Sequence, residues 1–255
     1  VNRLRRNAPA ALLLAALIGA WELYVDLGGI DDLLLPAPHA VARALYDDRA
    51  TIWHNFLPTA EEVILGMALA LAVALLTAIL VHFVAPLRRA VLPIVAASQA
   101  IPIVLIAPLL TVWFGFGLTP KLLVVALVSF FPIVVTTVNA LETVDPDLIK
   151  LLATFDAGRR ETFLHVEMPA ALPALLTGAK IAAVIAVIGA YLGEQAAATK
   201  GLGYLFSVTL ANLEYAEAFA AAAVLSLFAI TLFALFAALE RRALPWAHPE
   251  TGDRR

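Results

Sequence analysis

The sequence predicts an all-α integral membrane protein of about six transmembrane helices. Three observations carry this. Of 255 residues, 62% are hydrophobic and only 15% are charged, against roughly a quarter charged in a soluble domain. Several apolar runs exceed the roughly 18 residues that mark a spanning helix. Lys and Arg also alternate between successive loops with a consistent bias to one side. A net charge of −3, with no basic stripe interleaved with aromatics, argues against a nucleic-acid partner. The absence of cysteine excludes disulfides, thiol catalysis and Cys-ligated metal.

Taken in order, the first apolar segment runs from about Pro9 to Gly28, after Arg3, Arg5 and Arg6. It is longer than the apolar core of a secretory leader and carries Trp21, Glu22 and Tyr24 near its far end, so it reads as a spanning helix. Residues Gly29 to Leu57 form an amphipathic surface stretch broken by Pro36 and Pro38, with Asp31, Asp32, Asp47 and Asp48 as solvated carboxylates. The second segment covers about Pro58–Val84. The third covers about Ala90–Phe114 and is punctuated by Pro93, Pro102 and Pro108. The fourth spans about Pro120–Leu141, the fifth Ala170–Gly193 and the last Ala216–Leu239. At about 1.5 Å per residue each can cross a hydrocarbon core about 30 Å thick. With no internal repeat and no low-complexity linker, residues 1–255 read as one membrane domain.

Arg3, Arg5, Arg6, Arg88, Arg89, Lys150, Arg159, Arg160, Arg241, Arg242, Arg254 and Arg255 flank the segments on one side. Arg43, Arg49, Lys121 and Lys200 fall in loops on the other. The bias puts both termini and the polar loop Thr143–Pro173 in the cytoplasm and supports an even number of crossings.

Nothing in the chain matches a catalytic constellation. It has no G-x-x-x-x-G-K-[ST] phosphate loop, no H-E-x-x-H and no G-x-S-x-G, and His39, His54, His82, His165 and His248 read as interfacial residues without partners. Polar residues at membrane depth say more, because lipid penalises them. Ser98 and Gln99 lie mid-segment in the third run, and Ser129 and Asn139 in the fourth. On the fifth, Lys180, Val184, Val187, Tyr191 and Glu194 recur at steps of four and three, one stripe on one helix face. The stripe has two readings: its charged ends snorkel to the interfaces, or the face lines a water-accessible path with Tyr191 and Glu194 near the outer mouth. Trp113 joins Ser98, Gln99, Ser129, Asn139, Tyr191 and Glu194 as a candidate pathway residue. Gly189 and Gly193 sit at the small-residue spacing that lets helices approach closely, within the chain or against a second copy.

The cytoplasmic loop reads as a short amphipathic helix, then Gly158, then a second helix. Leu148, Leu151, Leu152 and Phe155 fall at helical spacing beside Lys150, Asp156, Arg159 and Arg160, and Asp145 before Pro146 is placed to cap. Such a helix lies on the membrane surface or drops its apolar face into a groove on a soluble partner.

From Arg159 to Gly178 the chain reads R-x-x-x-F-x-x-V-x-x-P-A-A-L-P-x-x-x-x-G, and GLGYL follows at Gly201–Leu205. This resembles the signature loop of binding-protein-dependent ABC importer permeases, within the nitrate, sulfonate and taurine branch that includes permeases for thiamine-precursor pyrimidines. The resemblance implies a type I importer permease fold with cytoplasmic coupling helices, two permease copies in the bilayer, a cytoplasmic ABC ATPase dimer and an extracytoplasmic substrate-binding protein. It implies no catalysis and no cofactor in this chain, ATP and Mg²⁺ being held by the ATPases. It assigns ATPase coupling to the segment carrying Leu148, Lys150, Leu151, Leu152, Phe155, Asp156, Ala157, Gly158, Arg159, Arg160, Phe163 and Pro169. The chain makes two departures from the family pattern: Lys150, Leu151 and Leu152 stand where Glu-Ala-Ala is usual, and Asp156 stands where glycine is usual. An ATP-independent secondary transporter needs more intramembrane ion-coupling groups than Lys180 and Glu194, and an intramembrane hydrolase needs a catalytic constellation. A heteroaromatic solute suits Tyr191, Trp113 and Glu194 better than a sulfonate, which Glu194 repels.

Overall fold

A computed structural model describes residues 2–31 and 34–247. Asp32, His248, Arg254 and Arg255 lie outside the described residues. Among those described, every regular element is helical. Five helices are long and apolar enough to cross a membrane, and a sixth crossing is made if one sharply bent pair counts as a span.

The chain divides into two compact units, residues 1–58 with 199–226, and residues 59–198 with 227–255. The first contains α1 (Asn2–Gly28), α2 (Pro38–Asp47), the opening turns of α3 (Arg49–Phe83), α10 (Leu202–Ala211) and the start of α11 (Tyr215–Ala243). The helix of α3 begins at Arg49, well before the apolar run at Pro58, and passes through that proline. Composition marks only the part of a helix that lies in lipid, and these earlier turns fall within the amphipathic surface stretch expected from Gly29 to Leu57. Near the start of α3, the Asn55 amide donates to the Thr51 carbonyl at 2.9 Å and accepts from the Gly201 N–H at 2.9 Å. Gly201 has φ +121°, a conformation that L side chains rarely adopt. The first glycine of the GLGYL motif is thus a backbone requirement, and Leu202 and Gly203 behind it are buried.

The second unit holds the rest of α3, α4 (Ala85–Ser98), α5 (Ile103–Phe114), α6 (Leu118–Glu142), α7 (Pro146–Thr154), α8 (Arg159–Thr162), α9 (Met168–Ala197) and the remainder of α11. Its core joins Ala70, Ala74 and Ala78 of α3 to Ile133, Val134 and Val138 of α6 and Ala171 and Ala182 of α9. α6 and α9 pack extensively along one another, and small residues permit it. A Cβ on Gly178 would lie 2.8 Å from the Pro132 carbonyl oxygen and 2.9 Å from Ile133 Cα. One on Gly189 would meet Val128 at 2.7 Å, and one on Gly193 would sit 3.4 Å from Lys121 Cα. The Gly189/Gly193 step therefore serves packing inside the chain.

The third apolar segment differs from the single crossing expected between about residues 90 and 114. It is two helices, α4 and α5, bent by 101°. Gln99, Ala100 and Ile101 each bond back three residues, to Ala96, Ala97 and Ser98, which tightens the chain out of the α-helix. Pro102 then disfavours helical geometry at Ile101 and brings no N–H of its own. Gln99 is consequently at a corner, not mid-helix.

After the Gly158 break, α8 runs through a π turn (Phe163–Glu167) into α9, so residues 159–196 form one apolar rod. The wider turn precedes Pro169, whose missing N–H breaks the regular ladder. The second helix expected after Gly158 is the beginning of the fifth crossing.

Candidate functional site

A cavity of about 730 Å³ opens at the α4–α5 corner. Ser98, Gln99, Ile101–Ile103 and Ile106 form the corner side, one face of α6 with Leu127, Phe131 and Val135 the second wall, and Ile181 and Ile185 of α9 the third. None of the lining residues is charged. Two of the hydroxyls are turned to their own helices: Ser98 donates to the Val95 carbonyl at 2.7 Å and Thr136 to the Pro132 carbonyl at 2.7 Å. Gln99, whose carboxamide carries donor and acceptor together, is the other polar side chain among the lining residues, in an otherwise apolar space with Phe131 in its wall.

Ser98 and Gln99 are thus brought to the cavity, and the other candidate pathway residues are placed elsewhere. Ser129 is fully buried in α6, Asn139 is exposed beyond the cavity, and Trp113 is exposed near the end of α5. Tyr191 is half-buried, its hydroxyl accepting from Gln195 Nε2 at 2.7 Å. Glu194 is buried and accepts from Thr59 Oγ1 at 2.5 Å. The wall of α9 that meets the cavity is Ile181 and Ile185, one residue round from the Lys180–Glu194 stripe.

The ends of that stripe do not snorkel. Lys180 pairs with Glu240 of α11, both largely withdrawn from solvent. Lys121, expected in an outer loop, lies in α6 and donates to the buried Glu62 Oε1 at 2.6 Å. These pairs span many residues of sequence, and only the presence of Glu62 in an apolar run hinted at one of them. Three histidines likewise have partners. His39 Nδ1 is 2.5 Å from Glu22 Oε1, His82 Nε2 is 2.9 Å from Glu167 Oε2, and His165 Nδ1 is 3.0 Å from the Glu161 carbonyl.

The loop segment is built as two parts. The N-terminus of α7 is capped by Asp145, whose carboxylate accepts from the Asp147 N–H at 2.8 Å, with Pro146 at the first helical position. Its C-terminus closes in a Schellman turn: Ala157 N–H bonds to the Leu152 carbonyl and Asp156 N–H to the Ala153 carbonyl, both at 3.2 Å. The residue required to be left-handed in that turn is Asp156, at φ +61°. The position where the family pattern has glycine is therefore the one where the backbone favours it, and Asp is among the side chains that tolerate it. Leu148 is 41% exposed, Leu151 53% and Phe155 76%, so α7 presents an apolar ridge, while Lys150 is tied to Asp147 at 2.7 Å. Leu152, Ala157 and Pro169 are half-buried, Gly158, Arg159 and Arg160 are exposed, and Phe163 is turned into the core at 5% exposure.

The family described as "Binding-protein-dependent transport system inner membrane component" matches residues 63–245. The chain belongs to this family. Its relatives include the formylaminopyrimidine transport permease protein ThiX of Halalkalibacterium halodurans, 34% identical over 92% of this chain and 94% of that protein. Another is the riboflavin transport system permease protein RibX of Chloroflexus aurantiacus, 36% identical over 93% of this chain and 89% of that protein. A chain of the MetNI methionine ABC transporter, solved in inward-facing conformations, superposes with a TM-score of 0.63 over 82% of this chain and 98% of that one. At 19% identity that likeness establishes the fold, the type I importer arrangement. The permease is accordingly a multi-pass inner-membrane transport component of an ABC importer.

Proposed function

We propose that this permease carries a small neutral heteroaromatic solute, of the class of thiamine-precursor pyrimidines, delivered by an extracytoplasmic binding protein. The observation that carries the reading is the uncharged lining of the corner cavity. A sulfonate or nitrate entering it would lose its water with no cation to replace it, which is costly. A flat ring gains apolar contact from Phe131 and the isoleucines and one amide partner from Gln99. The relatives whose names carry formylaminopyrimidine and riboflavin support the same class of solute.

Two copies form the path in this reading, both termini and the Thr143–Pro173 loop face the cytoplasm, and the apolar ridge of α7 docks into the ATPase dimer. ATP and Mg²⁺ reside in those partner subunits, and hydrolysis moves the packed helices as rigid bodies between inward and outward states.

Calorimetric titration of the partner binding protein with aminopyrimidines, taurine and nitrate tests the solute. Saturable binding of the pyrimidines alone is expected; preferred binding of taurine or nitrate overturns it. In proteoliposomes, Gln99→Leu is expected to slow uptake by about 2- to 10-fold, the worth of one neutral hydrogen bond.

A further inference from the structure

The loop segment has a second attachment, to the end of α3. Arg159 Nη2 donates to the carbonyl oxygens of His82 and Phe83 at 3.4 and 3.3 Å, and its guanidinium lies 5.0 Å from the centre of the Phe83 ring. These carbonyls belong to the last turn of α3, where no intrahelical N–H reaches them and where a cation is favoured by the helix dipole. Below the arginine, the rings of His82, Phe83 and Phe163 meet with centroids 5.0 to 5.2 Å apart. His82 Nε2 reaches Glu167 Oε2 at 2.9 Å, at the far end of the π turn that Phe163 opens. Phe163 and Glu167 are buried and the His82 side chain is only 16% exposed.

We propose that His82 and Phe83 on α3 and Arg159, Phe163 and Glu167 on the α8–α9 rod form a latch that makes the end of α3 move with the coupling segment. This rests on the reading of α7 as the ATPase-docking ridge. In the latch Arg159 is a positioning residue: although it lies in the coupling segment, its guanidinium is directed at its own chain. A push on α7 then reaches the bundle by two routes, along the rod into α9 and through the latch into α3, so α3 and α9 are displaced together.

The test uses the complete transporter in proteoliposomes, with the ATPase retained on the permease, ATP hydrolysis and solute uptake measured separately. Leu151→Asp is expected to lose the ATPase. Arg159→Ala is expected to retain it and its hydrolysis while uptake per ATP falls by about 5-fold or more, the size of an ordinary coupling energy. Arg159→Lys, which keeps the cation over the ring, recovers part of it. Loss of the ATPase from Arg159→Ala, or unchanged uptake per ATP, overturns the latch. Retention of the ATPase by Leu151→Asp overturns docking instead, and so the two failures are distinguishable.

Discussion

Gly178→Ala sets the packing of α6 against α9 to a quantitative test. The added methyl would lie 2.2 Å from Thr136 Oγ1, 2.8 Å from the Pro132 carbonyl oxygen and 2.9 Å from Ile133 Cα. Thr136 could rotate only by giving up its bond to the Pro132 carbonyl, and the other two atoms are backbone, so the helices must part by several tenths of an ångström. Overpacking of this kind costs about 1–3 kcal/mol, and the involvement of main chain places this site at about 2–3 kcal/mol. For a chain of this length that lowers the melting midpoint by about 4–12 °C. The assay is thermal unfolding of the detergent-purified permease followed by size exclusion. Gly193→Ala, whose methyl meets Lys121 Cα at an ordinary 3.4 Å, and Gly19→Ala, with nothing within 4 Å, are the controls. The expected order of loss is Gly178, then Gly189 at 2.7 Å, then Gly193, with Gly19 neutral. A Gly178→Ala permease as stable as the Gly19→Ala control would refute the close crossing.

Three further outcomes follow from particular contacts. Lys121→Met takes the cation away from the buried Glu62, which also hydrogen-bonds Glu194, and should destabilise by about 3–5 kcal/mol, with the double change Lys121→Met/Glu62→Gln recovering most of it in the same thermal assay. Asn55→Ala leaves the Gly201 N–H without its side-chain acceptor and should cost about 1–3 kcal/mol, whereas Asn55→Asp, which keeps the acceptor, should lose less. Asp156→Gly relieves a left-handed non-glycine residue and should stabilise the end of α7 by about 1 kcal/mol, seen as slower amide exchange at Ala157; Asp156→Val should do the reverse.

What could be read from sequence was what lipid enforces. Apolar length located the crossings, and capping chemistry located α7 at Asp145 and Pro146, because both depend on neighbours in the chain. The helix of α3 outside lipid and the corner at Gln99–Pro102 were missed for a common reason: hydropathy is continuous through the corner and lacking in the early turns of α3, so it reports neither. The Glu62–Lys121 and Lys180–Glu240 pairs join helices far apart in sequence, and no local period encodes such partnerships. The same holds for His82, which looked solitary until Glu167 came beside it. At Asp156 the sequence showed a departure from a pattern, and the backbone showed its meaning: a left-handed turn that glycine satisfies at no cost and aspartate satisfies at a small one.

The corner between α4 and α5 separates what makes the turn from much of what sizes the cavity. Main-chain bonds at Gln99, Ala100 and Ile101 and the ring of Pro102 make the turn, while the cavity's size is decided by other atoms, among them the side chains of Ile103, Leu127 and Phe131. The turn and much of the cavity wall are therefore set by different atoms. Substituting a few of these apolar side chains can change the volume of the cavity and leave the main-chain bonds of the corner in place.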